Sequence, residues 1–186
     1  QLHPALDTFE IMFYRSLVGV VVVTAVALGT ARARDLAPRH MGLHLLRNSV
    51  HFAGQNLWLY ALTLIPLAQL FALEFSYPIL VALTAPFLLG ERLTRGRLLS
   101  AAMGFVGILI VARPFGAGGL SPGLLVALGS AVCFAGAAIF TKMLTRIVTV
   151  LCILFWLTLM QTGFALLCAG WDGDIALPTA RGWNGC

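Results

Sequence analysis

Six long apolar runs, separated by short charged or Gly- and Pro-rich segments, limit most strongly what this chain can fold into. They lie at 9–30, 42–65, 67–89, 98–112, 123–141 and 147–170 and are named spans A to F. A bilayer-spanning helix needs about 20 apolar residues, so the short span D must extend into its flanks. Polar and apolar residues do not alternate along the runs, which favours helices over barrel strands. The sequence predicts an all-α polytopic membrane protein with six visible transmembrane helices.

Composition excludes a water-soluble domain. The chain is 60% hydrophobic and 10% charged, whereas soluble domains are about 45–50% apolar and about a quarter charged. The net charge of +5 would raise nucleic acid as a partner of a soluble protein; here we predict a lipid bilayer as the partner and no nucleic acid. The four cysteines lack the spacing of metal ligands, so no metal and no cofactor is predicted.

The basic residues indicate topology, because Lys and Arg concentrate on the cytoplasmic side of a membrane. The loops after spans A, C and E carry eight of them, whereas the opposite loops carry only Arg113 and Arg181. We therefore expect a multi-pass protein of the cytoplasmic (inner) membrane, with the loops after the first, third and fifth visible helices in the cytoplasm. The eight residues are Arg32, Arg34, Arg39, Arg92, Arg95, Arg97, Lys142 and Arg146.

Span B carries polar residues at intervals of three or four. On a helix they form a stripe within roughly 80–100° of one another, and such a face cannot contact lipid. Two interpretations stay open: the stripe lines a path for a solute, or it docks other helices. For Arg47, snorkelling toward the headgroups is a further alternative. The stripe consists of His44, Arg47, Asn48, His51, Gln55 and Trp58.

Spans A and C add two charges in apolar surroundings, Arg15 and Glu74. At a rise of about 1.5 Å per residue, both charges lie at a depth similar to that of His51 and Gln55 near the midplane. These four side chains are the candidate cluster, in which Glu74 and Arg15 bind charge or a coupling proton, since carboxyl and imidazole groups in a bundle interior are suited to proton exchange. The alternative is an Arg15–Glu74 ion pair that only orients helices.

Two further features concern span C and span E. Pro78 lies inside span C and would free the carbonyl group of Glu74; the resulting kink either forms a binding niche or only fits neighbouring helices. Tyr77 beside it is predicted to line the solute path.

In span E, Ala127, Ala131 and Ala135 recur every four residues, a spacing that predicts close helix packing.

The region 47–114 resembles the EamA family of the drug/metabolite transporter superfamily. The matching phrases are YAL at 60–62, IPLA at 65–68, ALEF at 72–75, LGER at 89–92, GFVGI at 104–108 and RP at 113–114. The resemblance implies a ten-helix carrier built from two inverted five-helix repeats. It would make 1–116 the first repeat without its first helix and 117–186 the start of the second, so that the chain is a fragment that lacks the first helix and the last four.

The chain offers one internal sign of such a repeat. Residues 11–17 of span A match 153–159 of span F in apolar character. Span F is the fifth span after span A, and because five is odd, the two spans cross the membrane in opposite directions, as inverted repeats require. We therefore expect a secondary transporter, or permease, that moves a small metabolite or drug-like solute by alternating access. Proton coupling and a homodimer are left open. The alternative is a non-transporting assembly or scaffold protein. The sequence shows no nucleophile or metal cluster of the kind that would indicate an enzyme.

Overall fold

The computed structural model describes residues 8–90, 94–112 and 121–172, apart from the side chains of 8–12, 97, 108–109, 111–112 and 169–172. Within these ranges all regular structure is helical, which confirms the predicted all-α class. The helices are α1 (Thr8–Gly29), a 3₁₀ turn (Ala33–Leu36), α2 (Met41–Leu64), α3 (Leu67–Glu74), α4 (Ser76–Leu89), α5 (Arg95–Ala112), α6 (Pro122–Leu144) and α7 (Val150–Asp172).

Each predicted span coincides with a helix, with one difference: span C is divided at Phe75 into α3 and α4. Three segments of the described residues are long and apolar enough to cross a membrane, namely Leu67–Leu89, Pro122–Leu144 and Val150–Cys168. Helix α2 has 24 residues, but its polar stripe lowers its hydropathy. Helix α5 begins at Arg95, so the short span D extends into its N-terminal flank as predicted.

The chain forms two compact units. Of the described residues, the first takes in 8–44 and 148–172, two segments that are far apart in the sequence, and the second takes in those within 45–147. The predicted boundary between the sequence repeats, 116/117, lies outside the described residues and stays a prediction.

In the first unit, α1 packs against α7. A Cβ atom on Gly19 would lie 2.6 Å from Cγ2 of Thr158, which shows how closely the two helices approach. The 3₁₀ turn joins them, since the indole N–H of Trp156 donates a hydrogen bond to the carbonyl of Leu36 at 3.2 Å. His44 is fully buried here, with its Nε2 atom 4.0 Å from Sγ of Cys152.

The second unit is built around α6. Helices α3 and α4 pack on it, and α5 packs on α3 and α4. Ala127, Ala131 and Ala135 are all buried, so the predicted packing of small residues is confirmed. Helix α2 approaches α6 at two glycines: a Cβ atom on Gly123 would lie 2.8 Å from Cβ of Leu64, and one on Gly54 would lie 3.0 Å from Cβ of Cys133.

Helix ends follow local rules. Ser121 is the N-cap of α6 and its hydroxyl accepts a hydrogen bond from the amide of Leu124, with Pro122 in the first helical position, where its missing N–H is not needed. Gly90 ends α4 in the left-handed conformation, with φ of 66°, which glycine adopts without steric cost.

Candidate functional site

The helix break in span C is where the second unit brings predicted site residues together. Glu74 is the last residue of α3, and its Oε2 atom accepts a hydrogen bond from the indole N–H of Trp58 at 2.9 Å. The Trp58 ring also lies 6.1 Å from the ring of Phe71. Glu74 of span C and Trp58 at the aromatic end of the α2 stripe are therefore in direct contact, and both side chains are half-buried.

The local sequence explains the break. A continuous helix would require an N–H at residue 78 for the carbonyl of Glu74, and proline has none. With the interruption at Phe75, Pro78 is the third residue of α4, in the first turn, where a helix leaves its N–H groups without intrahelical partners. The hydroxyl of Ser76 donates to the carbonyl of Leu73 at 2.5 Å across the same junction.

An aromatic cluster continues the site from the α2 stripe to α4. The ring of Phe134 on α6 lies 5.7 Å from the imidazole of His51 and 6.5 Å from the ring of Tyr77. Two predicted path residues on different helices thus share one neighbour. Gln55, one turn beyond His51, is half-buried.

The N-terminal third of the stripe has a different environment. Arg47 is only 8% exposed and Asn48 is completely buried. The Nε group of Arg47 donates to Oγ1 of Thr141 at 2.9 Å, and its Nη1 group donates to Oδ1 of Asn48 at the same distance. Arg47 is therefore not extended toward headgroups as the snorkelling alternative requires; it joins α2 to α6. A role for Asn48 in a solute path stays a prediction.

A cavity of about 760 Å³ lies beside the helix break. Its wall combines the junction residue Phe75 and Tyr77 with Ser100, Gly104 and Gly107 of α5. Of the predicted path residues, Tyr77 is the one that lines it, so Tyr77 belongs both to this cavity and to the aromatic cluster.

The remaining predicted residues lie apart from this site or outside the described residues. Arg15 is an exposed residue of α1 in the first unit, whereas Glu74 belongs to the second, so their pairing stays a prediction. Arg92 lies outside the described residues. The others of the basic set lie in or beside the α1–α2, α4–α5 and α6–α7 connections: Arg32, Arg34, Arg39, Arg95, Arg97, Lys142 and Arg146.

Three neighbours of the site were not predicted from the sequence, namely Phe71, Phe134 and Thr141. Phe71 could have been found, since it lies three residues before Glu74 and therefore near it on a helix. Phe134 and Thr141 are ordinary members of an apolar span, and only the packing of α6 against α2 shows their positions. Among the described residues, no group of three or more His, Cys, Asp or Glu side chains could hold a metal ion.

The fold and this site define a class: helical, multi-pass membrane proteins with polar groups in the bundle interior. Residues 1–113 match the model of the EamA-like transporter family. The chain belongs to the EamA-like transporter family, within the drug/metabolite transporter superfamily that the sequence phrases predicted.

Relatives of known name are transporters. A riboflavin transporter of Brucella anthropi is 37% identical over 136 residues, which are 73% of this chain and 47% of that protein. An S-adenosylmethionine uptake transporter of Rickettsia conorii is 27% identical over 76% of this chain and 47% of its own. A pseudopaline exporter of Pseudomonas aeruginosa is 28% identical over 96% of this chain and 62% of its own. The chain thus spans about half the length of the first of these relatives.

One solved crystal structure supports the fold. It aligns with a TM-score of 0.74 over 96% of this chain and 63% of that chain, at 22% identity. At this identity the likeness concerns the fold alone.

Proposed function

We propose that the chain is part of a secondary carrier that moves a small amphipathic metabolite across the bacterial cytoplasmic membrane by alternating access. The observation that carries this proposal is the contact between Trp58 and Glu74 at the helix break. An ionisable side chain inside a membrane-spanning segment is costly and most often marks an ion or substrate pathway. Interrupted helices form binding niches in several carrier folds.

Residue roles follow from the contacts. The Glu74 carboxylate would bind a positive group of the solute or exchange a coupling proton, while Trp58 holds the carboxylate in position. His51 and Tyr77, joined through Phe134, would continue the path, together with Gln55. We include Arg15 as the counter-charge from the first unit, and a homodimer remains open.

Riboflavin is the first solute to test, because two relatives are named riboflavin transporters, at 37% and 32% identity. The relatives include both uptake transporters and an exporter, so both directions of transport should be measured. We also propose that the loops after the first, third and fifth visible helices face the cytoplasm.

Glu74→Gln tests the role of the carboxylate. Glutamine keeps an oxygen that can accept the hydrogen bond from Trp58 and removes the negative charge, with an amide NH2 group in place of the second oxygen. In proteoliposomes that contain the full translated protein, we expect Glu74→Gln to lower pH-gradient-driven riboflavin uptake by about tenfold or more, equivalent to about 1.4 kcal/mol. Thr84→Val is the control, since within the described part of the chain Thr84 forms a side-chain hydrogen bond only with Leu80 of its own helix. Unchanged uptake in folded Glu74→Gln would exclude this role.

A non-transporting assembly protein is the second candidate. It is favoured by the contacts of Arg47 with Asn48 and Thr141, in which the polar stripe docks one helix on another. This alternative predicts that His51→Ala and Gln55→Ala change abundance or oligomeric state and leave solute flux unaltered. The carrier predicts the reverse, namely altered flux at normal abundance.

A further inference from the structure

The cavity beside the helix break has the size of a small-molecule site. Its volume is about 760 Å³, within the range of roughly 300–1,000 Å³ that is typical of ligand pockets. It is partly open and lies between α4 and α5, with Ala138 of α6 contributing to the wall.

The space results from residues that lack side chains. Among the described residues, a Cβ atom on Gly107 would meet no atom within 4 Å, and one on Gly104 would meet Ile79 at 3.4 Å, an ordinary contact distance. Alanines continue the wall on both sides, with Ala82 on α4 and Ala101 on α5. The described side chains of the helices that enclose the opening therefore do not fill it.

The chemistry of the wall limits the occupant. Among the described residues that line the cavity, none has a charged side chain, and this wall is mostly apolar, so a charge buried against it would not be compensated. Phe75 and Tyr77 present aromatic rings, which favour stacked or edge-on contact with another ring. The hydroxyls of Tyr77 and Ser100 can form hydrogen bonds with polar atoms on the rim of such a ring.

We propose that this cavity binds the uncharged, planar ring of an amphipathic solute. This inference rests on the proposed carrier function and adds the solute's chemical class. The polar remainder of the solute then lies toward Glu74, which directly precedes Phe75 in the chain, while Tyr77 connects the cavity through Phe134 to the α2 stripe.

A lipid acyl chain is the competing occupant, because the cavity lies in membrane-spanning helices. A hydrocarbon chain would leave the hydroxyls of Tyr77 and Ser100 without hydrogen-bonding groups, which is unfavourable in an apolar site. It would also form no stacked or edge-on ring contacts with Phe75 and Tyr77. These features favour the ring.

Two fragments of an amphipathic solute provide the test. Lumiflavin is a planar uncharged ring without a polar chain, and ribitol is a polar chain without a ring. We expect saturable binding of lumiflavin, and none of ribitol, by the full translated protein in nanodiscs, measured by equilibrium dialysis against empty nanodiscs. Gly107→Phe fills the cavity and should weaken lumiflavin binding by about tenfold, or about 1.4 kcal/mol. Gly163→Phe on α7 is the matched control, since a Cβ atom there also meets nothing within 4 Å.

Ala82→Phe fills the same space from α4 and provides a second variant if Gly107→Phe does not fold, with folding checked by size-exclusion chromatography. The inference is overturned if wild type shows no saturable lumiflavin binding, or if a folded cavity variant binds it as wild type does. It is also overturned if a phospholipid with a diazirine in its acyl chain labels Ile79 or Ala82 and lumiflavin does not compete. Riboflavin uptake without lumiflavin binding overturns this inference alone, whereas lumiflavin binding without any solute flux overturns the carrier function and leaves the cavity assignment.

Discussion

At the scale of single residues, the end of α1 carries an unfavourable backbone conformation. The amide of Arg32 bonds to the carbonyl of Ala27, and that of Ala31 to the carbonyl of Leu28, the pair of hydrogen bonds that defines a Schellman motif. Its left-handed position is held by Ala31, with φ of 56°. Glycine is preferred there because a Cβ atom is strained at this φ.

Ala31→Gly should therefore stabilise the protein by about 0.5–1 kcal/mol. The measurement is the midpoint of thermal unfolding in detergent. Ala102→Gly, at an exposed position inside α5, is the control and should destabilise by about 0.5–1 kcal/mol. A lower midpoint for Ala31→Gly would show that the left-handed conformation is not present.

Thr141 and Thr84 allow a matched comparison. Each threonine donates a hydrogen bond to the carbonyl four residues earlier in its own helix, but only Thr141 also accepts one from Arg47. Thr141→Val removes this acceptor and leaves a buried guanidinium N–H without its partner, so we expect a loss of about 1–3 kcal/mol. Thr84→Val should cost less. Chemical unfolding of both variants measures the difference, and equal losses would contradict a role for the Arg47 contact.

At the scale of helices, glycines determine how closely pairs pack. Gly19→Ala places a methyl group 2.6 Å from Cγ2 of Thr158, whereas the next atom, Cβ of Thr158, is at 3.4 Å. The substitution should destabilise the α1–α7 pair by about 1–3 kcal/mol.

Thr158→Ser should rescue Gly19→Ala, because it removes Cγ2 and retains the hydroxyl that bonds to Leu154. The expected result is a double variant close to Thr158→Ser alone in thermal stability. Additive losses from the two substitutions would contradict the predicted close approach.

Element type and position were predictable from this sequence, since bilayer thickness and apolar periodicity determine both. The break at Phe75 was foreseen only as a kink at Pro78, because sequence does not show on which side of a proline the chain adjusts. The different environment of the N-terminal third of the α2 stripe was not predictable either. His44 contacts Cys152 and Arg47 contacts Thr141, partners more than 90 residues away that no local pattern identifies.

At the scale of the whole molecule, the predicted orientation can be measured directly. In a cysteine-free variant, Arg34→Cys lies in the predicted cytoplasmic α1–α2 connection and Leu67→Cys lies at the predicted outer start of α3. A membrane-impermeant maleimide added to intact cells should label Leu67→Cys and should label Arg34→Cys only after the cells are opened. Both positions are exposed, so local burial does not explain a difference. The opposite labelling would invert the topology.

The described residues of the first unit come from two separate segments of the sequence, 8–44 and 148–172, whereas the second unit comes from the continuous stretch 45–147 between them in the sequence. A ribosome makes α1 before the other helices described here, yet α7, the helix against which α1 packs, is the last of them to be made. Domains generally fold in the order in which they are synthesised, so the continuous unit can assemble first. During that time the Gly19 face of α1 does not yet have α7 packed against it. Until α7 is made, another surface, such as lipid or the cell's insertion machinery, has to cover the face of α1 that α7 later occupies.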